Sequence, residues 1–195
     1  MDDKTVILVG KGDGWDKFPK DAKHIWAVNS GLIDIQKHAT MAFHLHDEWS
    51  DVDYDEIMGI VKKRKLPLLV CEPMDKEFGI TTAMVYPLKE IVEKLSGTPY
   101  FTNSVSYMIA YALYKGFTKI ELYGFPMNTL LEYKEQKPSI EFWIGVATGM
   151  GIDIELHDKS TILFLLEDQN RLYGYDRTYE EILEQVYNIK PKKEK

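Results

Sequence analysis

The stretch VILVGKGDGWDKF, Val6 to Phe18, decides the fold. A short continuous apolar run stops on Gly10, and Gly12 and Gly14 follow at once. Helices covering both faces of a strand require every one of its residues to be apolar, and this run meets that demand. Glycines after it allow a sharp bend or a close approach of the backbone to another group. Two readings of the loop stay open: a tight turn, or main-chain N–H groups turned toward an anionic ligand.

Outward from it, runs of the same kind recur in HIWAVNS, MAFHLHD, LPLLVCEP and TKIELYGF, with DIELHD as a sixth short strand. Helical patterns separate them. YDEIMGIVKKRK places Ile57, Ile60 and Val61 on one face, and PLKEIVEKLSG starts on proline and stops at glycine. TNSVSYMIAYALYKG is the clearest helix, capped within Thr102 to Ser104 and ended by Gly116. SIEFWIGVATGMG and TYEEILEQVYNI complete the set. Alternating strands and helices predict an α/β, Rossmann-like domain with a mostly parallel sheet and helices on both faces. One such domain is expected over residues 1–190, with 191–195 as a basic tail.

Composition narrows the function. A net charge of −7 over 195 residues argues against nucleic acid or an anionic membrane surface as partner. No apolar run is long enough to span a bilayer, and the acidic start MDDKTVILVG is unlike a secretory signal. The single cysteine, Cys71, excludes an internal disulfide and a multi-cysteine zinc site, which favours a cytoplasmic home. The wealth of aromatic residues leaves a homodimer open.

In parallel α/β folds ligands sit at the carboxyl ends of the strands, so the residues there are the candidates. The first loop is no Walker A motif, because Trp15 and Asp16 stand where lysine and serine or threonine are needed. Nor is it a dinucleotide fingerprint, since the third glycine and the ribose-binding acid are missing. Gly10, Lys11, Gly12 and Asp13 remain candidates for holding phosphate, with Mg²⁺ between Asp13 and the anion. Asn29 and Ser30 follow the second strand, where an amide suits a base or ribose edge, or merely its own turn.

His44 and His46 lie two apart, expected on one face of the third strand. His46 and Asp47 fall at its carboxyl end and are the candidate acid–base pair. No third ligand is evident, so no metal site is assigned. Asn103 and Ser104 open a helix whose N-terminus can attract an anion or simply be capped. The polar segment EYKEQKPSIEFWIG, with Glu132, Gln136 and Ser139, either closes over a ligand or is a surface loop with Ser139 as helix cap.

VILVGKGDGWDKF, IWAVNSG and TNSVSYMIAYALYKGFTKIELYGFPM together resemble two nucleotide-handling families. These are the archaeal hydroxymethyl-dihydropterin diphosphokinases (MptE-like) and the bacterial single-domain sialyltransferases, which use a CMP-sugar donor. The late segments EYKEQKPSIEFWIG and LYGY resemble uncharacterised tailed-phage proteins still more. The resemblance implies a nucleotide or nucleotide-sugar ligand and glycosyl or phosphoryl transfer. It matches Gly10 and Gly12 to the loop glycines, Asn29 to the nucleotide-contacting asparagine and Ser104 to the helix-start serine. Asp13 and Gly14 replace a Pro-Ser pair, and Pro126 stands in place of an acid. A protein that binds such a ligand without turnover is the alternative expectation.

Overall fold

The computed structural model describes residues 4–46, 53–73, 79–157, 161–163, 172 and 177–189. Its seven strands are β1 (Thr5–Val9), β2 (Ile25–Val28), β3 (Met41–Phe43), β4 (Leu68–Val70), β5 (Ala83–Val85), β6 (Lys119–Tyr123) and β7 (Asp153–Leu156). They form one sheet in the order β5-β4-β3-β2-β1-β6-β7. Every pairing is parallel. The fold is the expected Rossmann-like α/β class. β5 is the strand the sequence did not announce: it is three residues long at an edge, with Met84 and Val85 exposed, so no buried apolar run marks it.

Helices α1 (Gly31–Ile35), α2 (Tyr54–Arg64), α3 (Leu88–Ile91), α4 (Ser104–Tyr114) and α5 (Lys137–Gly149) flank the sheet. Alternate residues of β1 divide between the two layers, as strand geometry requires. Ile7 and Val9 join Leu32, Ile35, Ile57 and Val61 of α1 and α2. Val6 and Leu8 join Met108, Ile109, Ile140 and Trp143 of α4 and α5 on the other face. This double burial is why the strands read as unbroken apolar runs. The chain divides into the units Met1–Ile162, which holds the sheet, and Leu163–Lys195. Within the latter, α6 (Tyr179–Tyr187) starts from a capping box of Thr178 and Glu181. Among the described residues no helix is long and apolar enough to cross a membrane.

Before α5 the chain makes a wide π turn, Glu132–Gln136, in which Lys137 N–H donates to the carbonyl of Glu132 five residues back. Pro138, next in line, has no N–H with which to continue an ordinary α-helical ladder, and the wide turn accommodates it. The turn starts at Thr129, whose hydroxyl accepts from Glu132 N at 3.3 Å while Glu132 Oε2 accepts from Thr129 N at 2.9 Å. EYKEQKPS is therefore helical, not an open surface loop.

Candidate functional site

The strand order reverses at β1. The chain runs outward from β1 through β2 to β5, then returns to place β6 on the other side of β1. The loops after β1 and β6 consequently lie side by side at the carboxyl edge, where such sheets open a crevice.

The glycines of that seam serve contact first. Gly10 N–H donates to Tyr123 O and Gly12 N–H to Gly124 O, both at 2.9 Å. A Cβ on Gly10 would sit 2.4 Å from Gly124 O, and one on Gly12 would sit 2.2 Å from Pro126 Cδ. Gly124 itself has φ 75° and lies against Trp15. Gly10 and Gly12 are thus there because two loops touch. Their N–H groups are already engaged, which corrects the expectation that they donate to a phosphate. What they offer a ligand is a smooth wall.

Two hollows open beside the seam. The first, about 440 Å³, is lined by Gly10, Lys11, Gly12, Ser30, Phe125 and Glu132, among others. The second, about 450 Å³, is lined by His46, Phe101, Asn103, Ser104, Tyr107 and Gln136, among others. Val28 and Asn29 line both. The segment around the π turn also reaches both, through Glu132 in one and Gln136 in the other. The glycine loop and the start of α4 thus line two different hollows, with Val28 and Asn29 common to both.

Asn29 is built for that place. Its φ is 47°, in the left-handed region that asparagine tolerates better than most residues. Its N–H donates to Phe43 O at 2.9 Å and its carbonyl accepts from Leu32 N at 3.1 Å. The side chain does not brace its own turn. Nδ2 lies 2.8 Å from His46 Nε2, within hydrogen-bond distance. Oδ1 is shut from water and finds no partner among the described residues.

The remaining candidates separate. Ser30 precedes α1, makes no side-chain cap bond, and lines the first hollow. Lys11 stands 3.9 Å from Asp53, with more than half of its side chain exposed. Asp13 is exposed and is not among the lining residues of either hollow, so nothing places its carboxylate between a cation and a ligand there. Asp47 lies outside the described residues. β3 ends at Phe43, so His44 and His46 are not strand residues; His44 is buried and His46 is exposed.

Asn103 is the cap of α4: Oδ1 accepts from Ser106 N at 3.0 Å, and Nδ2 donates to Gln136 O at 2.8 Å and Ser139 Oγ at 3.0 Å. Its side chain is used for structure, which corrects its assignment to a ligand. Ser104 is half-buried in the wall of the second hollow. Ser139 does not cap α5. It lies inside that helix, fully buried, where Thr102, Asn103 and Ser106 meet it. Phe101 was missed by sequence reasoning. It stacks on Trp143 at 4.8 Å and lies tilted against Tyr107 at 4.4 Å, so a packing partner far along the chain, Trp143, helps decide its place.

A charged cluster lies apart from these hollows on β6 and β7. Lys119 Nζ is 2.6 Å from Glu155 and 3.0 Å from Glu121, and His157 stacks on Tyr123 at 4.0 Å. Glu121, Glu155 and His157 each bring a ligand atom within 4.8 Å of the others, but the Lys119 ammonium already answers both carboxylates. The hydrogen bonds to Glu155, then Glu121, raise the Lys119 pKa above its ordinary value, and the bond from Lys119 lowers that of Glu155.

The signs fix a pH dependence. Glu155 contributes stability above about pH 4.5, lost as pH falls through its lowered folded value; Lys119 contributes below about 10.5, lost as pH rises through its raised one. Melting temperature is expected to fall as pH drops from 7 to 3, with Lys119→Met flattening that acid limb. Solvent screening keeps the effect small, and an unchanged limb would remove this pairing from the account.

No known family model, curated protein or solved structure matches the chain.

Proposed function

We propose that the chain binds a nucleotide-type ligand, a nucleotide or nucleotide-sugar, across the junction of the two hollows. The observation that carries this reading is the place of Asn29, which lines both hollows at the switch point of a parallel sheet. Glycyl walls on one side and Phe101, Tyr107 and Gln136 on the other supply the flat and polar surfaces such a ligand needs.

Transfer of a glycosyl or phosphoryl group is the activity this reading favours. His46 stands in the second hollow as a group able to move a proton. Mg²⁺ would accompany a diphosphate in so acidic a chain. A second reading, binding without turnover in a cytoplasmic protein of the phage type, is favoured by Pro126. It lines the first hollow at the position where the resembling families carry an acid.

Titration calorimetry with nucleoside mono- and diphosphates and CMP- and UDP-sugars, with and without Mg²⁺, tests the reading. At least one is expected to bind, and Asn29→Gly, which keeps the left-handed backbone, to weaken it about tenfold or more. Silence across the whole panel would end the proposal. Mass spectrometry after long incubation separates the two readings, since only transfer alters the ligand.

A further inference from the structure

We infer that Glu132 is the specificity-determining residue of this site, and that it selects a ring presenting two adjacent N–H donors. The inference rests on the nucleotide-type reading above and says which end of the ligand each hollow takes.

The two hollows differ in charge. Glu132 is the one carboxylate among the described residues that line them, and it belongs to the first hollow. Its placement is fixed from its own segment. Oε2 accepts from Thr129 N at 2.9 Å, and the backbone N–H is held by the Thr129 hydroxyl. Oε1, on a half-buried side chain, has no partner among the described residues and shares this lining with Gly10, Gly12, Gly31 and Gly124. Four residues without side chains give this hollow smooth sides suited to a flat ring.

A phosphate fits poorly there. It would face the Glu132 carboxylate at short range; Lys11, the cation in this lining, stands 3.9 Å from the Asp53 carboxylate with more than half of its side chain exposed, and the N–H groups of Gly10 and Gly12 are already engaged with the β6 loop. The second hollow has no described carboxylate in its lining. It has His46 and the first turn of α4, where Asn103 takes the Ser106 N–H and those of Ser104 and Val105 have no partner within the helix. The ligand therefore lies with its ring in the first hollow and its anionic end in the second, passing Asn29 between them. At the ring's edge Oε1 accepts one N–H donor and the second lone pair of Oε2, beside its bond from Thr129 N, accepts the adjacent one, whereas an edge of ring nitrogen and carbonyl acceptors is repelled.

Guanosine 5′-monophosphate and inosine 5′-monophosphate serve as probes, because they differ by one amino group next to a ring N–H. On the unaltered chain, guanosine monophosphate is expected to bind about tenfold or more tightly than inosine monophosphate, the loss of one hydrogen bond to a charged group. Glu132→Gln keeps an acceptor for Thr129 N, so it is expected to melt with the parent, and to reduce that ratio to within about threefold. Equal affinities on the unaltered chain, or a ratio untouched by Glu132→Gln, would overturn the assignment. The two failures are distinguishable. If other nucleotides bind while guanosine monophosphate has no advantage, Glu132 is wrong and the site stands; if no nucleotide binds, both fall.

Discussion

Gly10→Ala is expected to lower the free energy of unfolding by about 3 kcal/mol, the upper end for overpacking a filled interior. The new methyl would stand 2.4 Å from Gly124 O and 2.6 Å from the Phe125 ring. A flexible side chain could move aside, but Gly124 O is main chain and is tied to Gly12 N at 2.9 Å. Relief therefore requires the β1 and β6 loops to part, which also opens the first hollow. Urea unfolding measures the cost. Gly59→Ala and Gly145→Ala supply the contrast, because a methyl at either meets nothing within 4 Å and both sit inside helices, where alanine is favoured by about 1 kcal/mol. A Gly10→Ala protein as stable as its parent would show that the two loops do not touch as described.

Ser139→Ala is expected to cost about 2 kcal/mol although it removes a single oxygen. That oxygen lies within 2.7 Å of Thr102 Oγ1, 2.9 Å of Ser106 Oγ and 3.0 Å of Asn103 Nδ2, in a residue with no exposed surface. Thr102, Asn103 and Ser106 each retain one further acceptor in Glu135, Gln136 or Asn103 carbonyls, which limits the loss. Thr102 N–H, 3.3 Å from the hydroxyl, has no such reserve among the described residues. The damage is local to the place where α4 and α5 begin, so amide exchange is expected to quicken over residues 102–106 and to stay slow in β2. Uniform quickening would mean that Ser139 supports the whole fold and not this joint.

The fold was legible because its physical cause is local. β1, β2, β4 and β6 are covered on both faces, so their burial is written as unbroken apolar runs, and glycine or proline punctuates the helices between them. β5 escaped for the converse reason, having neither length nor burial. The site was legible in part. Asn29 and His46 could be picked out because a strand end is a predictable address in such folds. The roles of Gly10, Gly12, Asn103 and Ser139 were not, since each depends on a partner distant in sequence: a glycine meant for a ligand and one meant for a neighbouring loop look alike in one dimension. Glu132 stood among several polar residues of EYKEQKPS, and only the turn ahead of Pro138 singles it out.

The strand order also bears on how the chain comes to be folded. β1 is among the first segments to exist, yet its partner β6 lies more than a hundred residues later, Thr5 pairing with Lys119 and Val9 with Tyr123. Joining ends so far apart is entropically slow, and rates fall as such contacts come to dominate. β1 through β5 can assemble with one flank of β1 bare, whereas the first hollow exists only after β6 has docked there. The first hollow is thus completed late in assembly, so a chain arrested earlier would carry much of its sheet and none of that hollow.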